Sequence, residues 1–113
     1  MSSSQQPVYW GSVGAALADG TAHSVNLPVG TTDWTIVNTN AGVGDFLRIA
    51  GNSTTITTAA QCIPVAPSTS LTGKGQSLFV ANDSGGALNV AVDWERPGRQ
   101  PTADAGTATI TAL

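Results

Sequence analysis

The sequence has few of the side chains that carry out chemistry. Among 113 residues there is one histidine, His23, one cysteine, Cys62, and a charged fraction of only 10%. A zinc site takes three or four His, Cys or carboxylate ligands, and nucleophilic catalysis needs a nucleophile, a base and an orienting group. These shortages argue against an enzyme, so we expect no catalytic residue, no metal and no cofactor.

Cysteine and basic residues are also scarce, and each scarcity removes a class of partner or site. A single cysteine cannot form an internal disulfide, and Cys62, in the apolar run 60–65, is predicted to be a small core residue. Four basic residues and a net charge of −3 are too few to neutralise a nucleic-acid backbone. No apolar run approaches the roughly 20 residues of a membrane span. Residues 1–8 lack the basic and apolar regions of a signal peptide. We expect synthesis in the cytoplasm, with no nucleic-acid or membrane partner.

What the chain does contain is a series of short runs rich in Thr, Val and Ile. Several alternate apolar and polar residues with period two, as half-buried strands do. The alternation is clear in residues 33–38, 45–50, 77–82 and 87–94, and weaker in residues 8–12, 22–27, 53–58 and 60–65. Turn-forming residues separate the runs, and the Asn-Asp-Ser-Gly-Gly stretch at 82–86 predicts a hairpin.

These runs predict an all-β fold, a single antiparallel β-sandwich of about eight strands with jelly-roll or Ig-like connections and an extended arm at each end. We divide the chain into an N-terminal polar arm (1–7), a sandwich domain (8–95), a linker (96–106) and a C-terminal strand-like arm (107–113). Trp94 is expected at the edge of the sandwich. The predicted core comprises Trp34, Ile36, Leu47, Ile49, Ile56, Ile63, Leu78, Val80, Leu88, Val90 and Val92.

The last segment carries the sharpest functional hypothesis. Residues 107–113 place Ala108, Ile110 and Ala112 on one face and four larger or polar side chains on the other. Such a strand can add to the exposed sheet edge of a neighbouring molecule, or it can fold back on its own sandwich or fray; exchange and fold-back both stay open. The predicted partner-binding residues are Thr107, Thr109, Ile110, Thr111 and Leu113, together with Tyr9 and Trp10.

Four stretches carry a resemblance to a known group of proteins: WTIVNTN at 34–40, DFLRI at 45–49, PVAPS at 64–68 and SLFVANDSGGALNVAV at 77–92. Together they resemble the small β-sandwich virion proteins of tailed bacteriophages, most of all head decoration (cement) proteins. The resemblance implies a structural, non-enzymatic protein on the outer capsid surface that stabilises the phage head. Its implied partners are the major capsid protein and copies of itself in a homo-oligomer.

Two alternatives remain open at this stage. The same β-rich composition suits a tail, fibre or spike component of a phage virion. The aromatic residues Tyr9, Trp10, Trp34 and Trp94 also raise a carbohydrate-binding adhesive module, although Trp34 is expected in the core.

Overall fold

The computed structural model describes residues 8–97 and 106–113, with side chains from Trp10 onward in the first of these segments. The described chain is all-β and forms two antiparallel sheets, as predicted. Two short 3-10 helices, Thr55–Thr57 and Ala59–Gln61, are the helical elements of this part of the chain. The strands are β1 (Val8–Leu17), β2 (Thr21–Asn26), β3 (Asp33–Asn38), β4 (Leu47–Ala50), β5 (Ile63–Val65), β6 (Thr69–Lys74), β7 (Ser77–Asn82), β8 (Leu88–Pro97) and β9 (Thr109–Ala112).

Consecutive strands lie in different sheets, with the exception of β4 and β5. The first sheet has the order β1-β8-β3-β6 and the second the order β5-β4-β7-β2-β9. The predicted hairpin at 82–86 is therefore wrong, because this turn carries the chain from β7 in the second sheet to β8 in the first. The Asn-Asp-Ser-Gly-Gly stretch encodes a reversal of the chain, but it does not encode which sheet receives the next strand.

Two buried asparagines hold the crossings between the sheets. Asn38 ends β3, and its side-chain amide donates to the carbonyls of Asp45 (2.7 Å) and Val65 (3.0 Å). Asn82 ends β7, and its amide donates to the carbonyls of Leu17 and Gly86, both at 2.8 Å. Both side chains are fully buried. A buried amide is tolerated when its hydrogen bonds are made, and here those bonds tie the end of a strand in one sheet to backbone of the other.

The core lies between the sheets and follows the predicted alternation closely. Of the predicted core residues Ile63 is the error, because it lies on the short edge strand β5 and is 55% exposed. Trp94, expected at the edge, is buried. The sequence analysis missed five further buried apolar residues, Leu17, Val25, Leu27, Val65 and Ala81.

Several strand boundaries differ from the sequence-based ones. Residues 53–58 were expected to form a strand and contain a 3-10 helix instead, with Ile56 as its buried residue. Strand β6 was not predicted, because Leu71 is its one large apolar side chain. Strand β8 continues to Pro97, past the expected domain end at 95. The arm at 1–7 and residues 98–105 of the linker lie outside the described residues.

A row of two tryptophans and two glycines crosses the first sheet. Gly11, Trp94, Trp34 and Gly73 are successive neighbours on β1, β8, β3 and β6. A Cβ on Gly11 would lie 2.1 Å from Cζ2 of Trp94, and one on Gly73 would lie 2.2 Å from Cζ2 of Trp34. Each indole thus covers the glycine of the neighbouring strand, which leaves no room for a larger residue at either position.

This row predicts that Gly11→Ala is destabilising because the added methyl would overlap the Trp94 ring. Overpacking of this kind costs about 1–3 kcal/mol in the free energy of unfolding, measurable by urea denaturation followed by tryptophan fluorescence. The matched control is Gly14→Ala on the same strand, where the new Cβ would meet one atom, the Val90 carbonyl oxygen, at 3.4 Å. Equal stability of the two variants would contradict the packing described here.

Candidate functional site

The last strand, β9, extends the second sheet by pairing with β2. Residues 109–112 lie antiparallel to residues 23–26, and the Leu113 amide donates to the Ala22 carbonyl at 3.0 Å. Ala108 and Ile110 pack against the core, as the alternation predicts, whereas Ala112 is exposed. Within the single chain, this segment folds back on its own sandwich.

The other side chains of this segment face away from the core. Thr107, Thr109, Thr111 and Leu113 are all exposed. They therefore form the outer surface of the edge strand of the second sheet, which is polar at the three threonines and apolar at Leu113. Because β9 pairs with β2, the backbone hydrogen-bonding groups along that edge of β2 are not open to another strand.

Tyr9 and Trp10, the other predicted partner-binding residues, belong to β1 in the first sheet. Tyr9 pairs with Arg96 in the ladder between β1 and β8, and its side chain lies outside the described part of the structure. Trp10 is 73% exposed. Strands β1 and β9 are the edge strands of their sheets and touch each other along one side of the sandwich. The two predicted sets therefore flank the same side without sharing a sheet.

Trp10 lines a groove on the outer face of the first sheet. The groove has a volume of about 610 Å³ and is bordered by two rows of side chains that cross β1, β8, β3 and β6. One row contains Trp10, Glu95 and Asp33, and the other contains Ser12, Asp93, Thr35 and Thr72. The backbone of the glycine and tryptophan row runs between them, so the indoles on the inner face support the groove from below.

The outer rows are organised by hydrogen bonds across the strands. The indole Nε1 of Trp10 donates to Glu95 Oε2 at 3.2 Å, which draws the ring from β1 toward β8. The hydroxyls of Thr35 and Thr72 lie 3.1 Å apart. Asp93 makes no side-chain hydrogen bond or ion pair with the residues that the structure describes and is exposed to solvent.

Asp33 is the carboxylate of this groove that has a cationic partner. Lys74 Nζ lies 2.6 Å from Asp33 Oδ1, and the Thr32 hydroxyl donates to Oδ2 at 2.9 Å. The hydrogen bond from Lys74, followed by that from Thr32, lowers the pKa of Asp33. The same contact raises the pKa of Lys74. Both groups therefore stay ionised around neutral pH.

Arg48 and Cys62 form a separate polar cluster near the 3-10 helices. Arg48 makes an ion pair with Asp83 at 2.5 Å, which raises the pKa of the guanidinium, and it donates to the Ile56 carbonyl and to Cys62 Sγ. The thiol in turn lies 3.3 Å from the Thr55 carbonyl oxygen. Cys62 is therefore half-buried among polar groups rather than the apolar core residue that the sequence predicted.

Across residues 8–97 and 106–113, His, Cys, Asp and Glu side chains do not gather in a group of three that could hold a metal ion. Over the same residues, no helix has the length and apolar character needed to cross a bilayer.

The sequence analysis missed most of the groove. Its acids Asp33, Asp93 and Glu95 and its hydroxyl residues Ser12, Thr35 and Thr72 are absent from the predicted site residues. The strand register brings them together, and that register joins residues from 37 (Thr35 and Thr72) to 85 (Trp10 and Glu95) positions apart, beyond the range of local pattern. The signal that sequence did offer was the outward position of Asp93 in the alternating run 87–94.

We predict that Lys74→Gln raises the pKa of Asp33 toward its ordinary value, because the largest cause of its depression is removed. Since the folded-state pKa is the lower one, the pair stabilises the fold fully above the ordinary pKa and loses that contribution as pH falls through the depressed value. Carboxyl carbon shifts in an NMR titration report the midpoint. Thr32→Val should produce a smaller rise. An unchanged midpoint in Lys74→Gln would refute this assignment.

Comparison with known proteins gives the fold and leaves the family open. No family model and no curated protein matches the chain. Among solved structures, it is similar to an uncharacterized conserved protein with a double-stranded β-helix domain from Klebsiella pneumoniae, with a TM-score of 0.53 and 14% identity over 95% of this chain and 78% of that one. Two others match at lower TM-scores. One is a pilus protein of Bacillus endospore appendages (0.47, 10% identity, 82% and 90% covered), and the other is the Yersinia pseudotuberculosis-derived mitogen (0.45, 12% identity, 91% and 97% covered).

Proposed function

We propose that the protein is a structural subunit of a phage virion, a decoration protein that binds the outer surface of the head and is joined to its copies by exchange of β9. The observation that carries the proposal is the way β9 is attached. The strand is docked by backbone pairing with β2 and by Ala108 and Ile110 against the core, and residues 98–108 join it to β8 along the chain.

Exchange would preserve every contact that the strand makes. A β9 from a neighbouring copy meets the same β2 edge and the same core surface as the chain's own β9, which is the basis of domain swapping. The docked segment begins at Gly106, whose backbone lies against Pro28 so closely that a Cβ there would come within 2.7 Å of the Pro28 Cβ. The segment that would be exchanged therefore includes Gly106 as well as β9.

Exchange of one β9 strand contributes only a modest free energy of association. Such weak single contacts are compatible with assembly on the symmetric surface of a capsid. A fully buried Ile or Leu side chain contributes about 1.5–3 kcal/mol, and Ile110 is only partly buried. Backbone pairing of the four β9 residues and partial burial of the Ile110 side chain therefore give only a low affinity between two free molecules. On a symmetric surface, however, many identical contacts act together, and the combined avidity exceeds the single affinity by orders of magnitude.

The strand order supports a jelly-roll assignment for the sandwich. Leaving β9 aside, the sheets are β1-β8-β3-β6 and β5-β4-β7-β2, an arrangement of eight strands in which the chain alternates between sheets. Ig-like sandwiches instead keep several consecutive strands in one sheet. The likeness to the double-stranded β-helix protein of Klebsiella pneumoniae favours the same assignment. Jelly rolls are used by viral capsid and lectin domains and by cupins, so the fold is compatible with a virion role without specifying it.

The proposal predicts that β2 and β9 can be cross-linked between chains. Ala22 and Leu113 form a hydrogen-bonded pair, so the adjacent pair His23–Ala112 is of the non-hydrogen-bonded type, in which the side chains approach most closely. In a Cys62→Ser chain, His23→Cys with Ala112→Cys should form disulfide-linked dimers and higher species on oxidation, seen by non-reducing electrophoresis.

Single-cysteine variants serve as controls, and light scattering on the unoxidised protein should give a mass above that of one chain. If the double variant gives an intrachain disulfide alone, and the protein is monomeric at every concentration, strand exchange is refuted. A chain ending at Gly106 should assemble less than the full-length chain while keeping its tryptophan fluorescence spectrum.

The place in the virion is a separate prediction. Gold-labelled antibodies against the protein should decorate the heads of phage particles in negative-stain electron micrographs of lysates that contain it, because its partner is the outer capsid surface. Labelling of tails or fibres would favour the tail, fibre or spike alternative. Particles without label, beside free protein in the supernatant, would refute a virion role altogether.

A further inference from the structure

We propose that the groove on the outer face of the first sheet binds a neutral pyranose of a glycan, with the sugar ring stacked on Trp10. This site is independent of the C-terminal strand and adds a recognition function to the structural one. It rests on three properties of the groove: an oriented and exposed indole, a matched set of hydroxyl and carboxylate groups, and a charge that selects the ligand.

The indole of Trp10 is exposed and held in place. Its exposed fraction is 73%, while the other two tryptophans of the chain are buried. Leaving a large aromatic ring in water forgoes the favourable burial that such rings provide. The bond from Nε1 to Glu95 fixes the ring over β8, so its apolar face is already oriented before a ligand arrives. A pyranose presents a flat face of C–H groups that covers such a ring.

The far row of the groove supplies the polar contacts that a sugar needs. Ser12, Thr35 and Thr72 carry hydroxyls that both donate and accept, and Asp93 is an acceptor with no side-chain partner in the described residues. A sugar hydroxyl also donates and accepts, so it can satisfy both kinds of group. The groove volume of about 610 Å³ lies within the range of about 300–1,000 Å³ found for small-molecule sites.

The charge of the groove selects a neutral ligand. Asp33, Asp93 and Glu95 line it, and the one neighbouring cation among the described residues of these rows, Lys74, forms an ion pair with Asp33 and is also attracted by Glu95. The remaining negative charge repels uronic acids, sialic acids and nucleic acids. A cationic peptide is the competing occupant, since cations also bind over indole rings. The sugar is favoured because Glu95 is already engaged by Trp10 and because hydroxyls, rather than further aromatic walls, line the opposite row.

The test uses the labelled full-length protein on an array of neutral oligosaccharides (gluco-, manno- and galacto-configured, with and without N-acetyl groups), sulfated and sialylated glycans, and oligolysine peptides. We expect binding to one or more neutral glycans and none to the acidic set. Titration of the best neutral ligand should then show that Trp10→Ala weakens binding by about tenfold or more, as for an aromatic anchor, and that Asp93→Asn weakens it severalfold.

Phe46→Ala is the matched control, because Phe46 is an exposed aromatic residue outside this groove; it should bind like the wild type. Thermal unfolding of Trp10→Ala should be close to wild type, since the removed ring is exposed. A blank array refutes the proposal, as does a glycan whose affinity is unchanged in Trp10→Ala. Binding confined to oligolysine and abolished by salt assigns the groove to a cationic peptide instead. Light scattering on the same variants keeps this outcome separate from that of strand exchange.

Discussion

The structure depends on the face-to-face packing of two sheets that cannot form independently. Almost every consecutive pair of strands is divided between the sheets, so a sheet obtains its hydrogen-bonded neighbours only when the other sheet is also assembled. The asparagines at the ends of β3 and β7 show the same dependence, since each bonds backbone on the opposite side of the core. Most pairings are therefore long-range, which raises the entropic cost of reaching the native state and makes folding of the sandwich cooperative.

Sequence pattern predicted what is local and missed what depends on the sheet arrangement. The alternation in 33–38 and 77–82 gave the bounds of β3 and β7 and their buried faces, because a half-buried strand imprints period two on its own residues. Strand β6 escaped prediction since its neighbours, and not its own composition, hold it in the sheet. Ile63 looked like a core residue and is exposed, because its strand lies at the edge.

The candidate functional surfaces show the same difference between features that a local sequence pattern predicts and features that depend on the sheet arrangement. Trp10 and the last segment could be singled out from the sequence because each is unusual in itself, one as an aromatic residue near a polar arm and the other as a strand beyond a Pro- and Gly-rich stretch. The groove around Trp10 could not be predicted from the sequence, because its residues come together only through the pairing register of four strands. The inner face of the first sheet carries the tryptophans that stabilise the fold, and the outer face presents the groove. One sheet thus serves packing and recognition through alternate residues.

Backbone pairing at the edge of β2 is the feature on which the account of assembly depends. The most direct measurement is an isotope-filtered NMR experiment on oligomers formed from a refolded mixture of ¹³C-labelled and unlabelled chains. Strand exchange predicts interchain contacts between the side chains of Val25 and Ile110, which are opposite one another across β2 and β9. If these contacts are seen within single chains and never between labelled and unlabelled partners, β9 belongs permanently to its own sandwich, and the protein does not assemble in the way proposed.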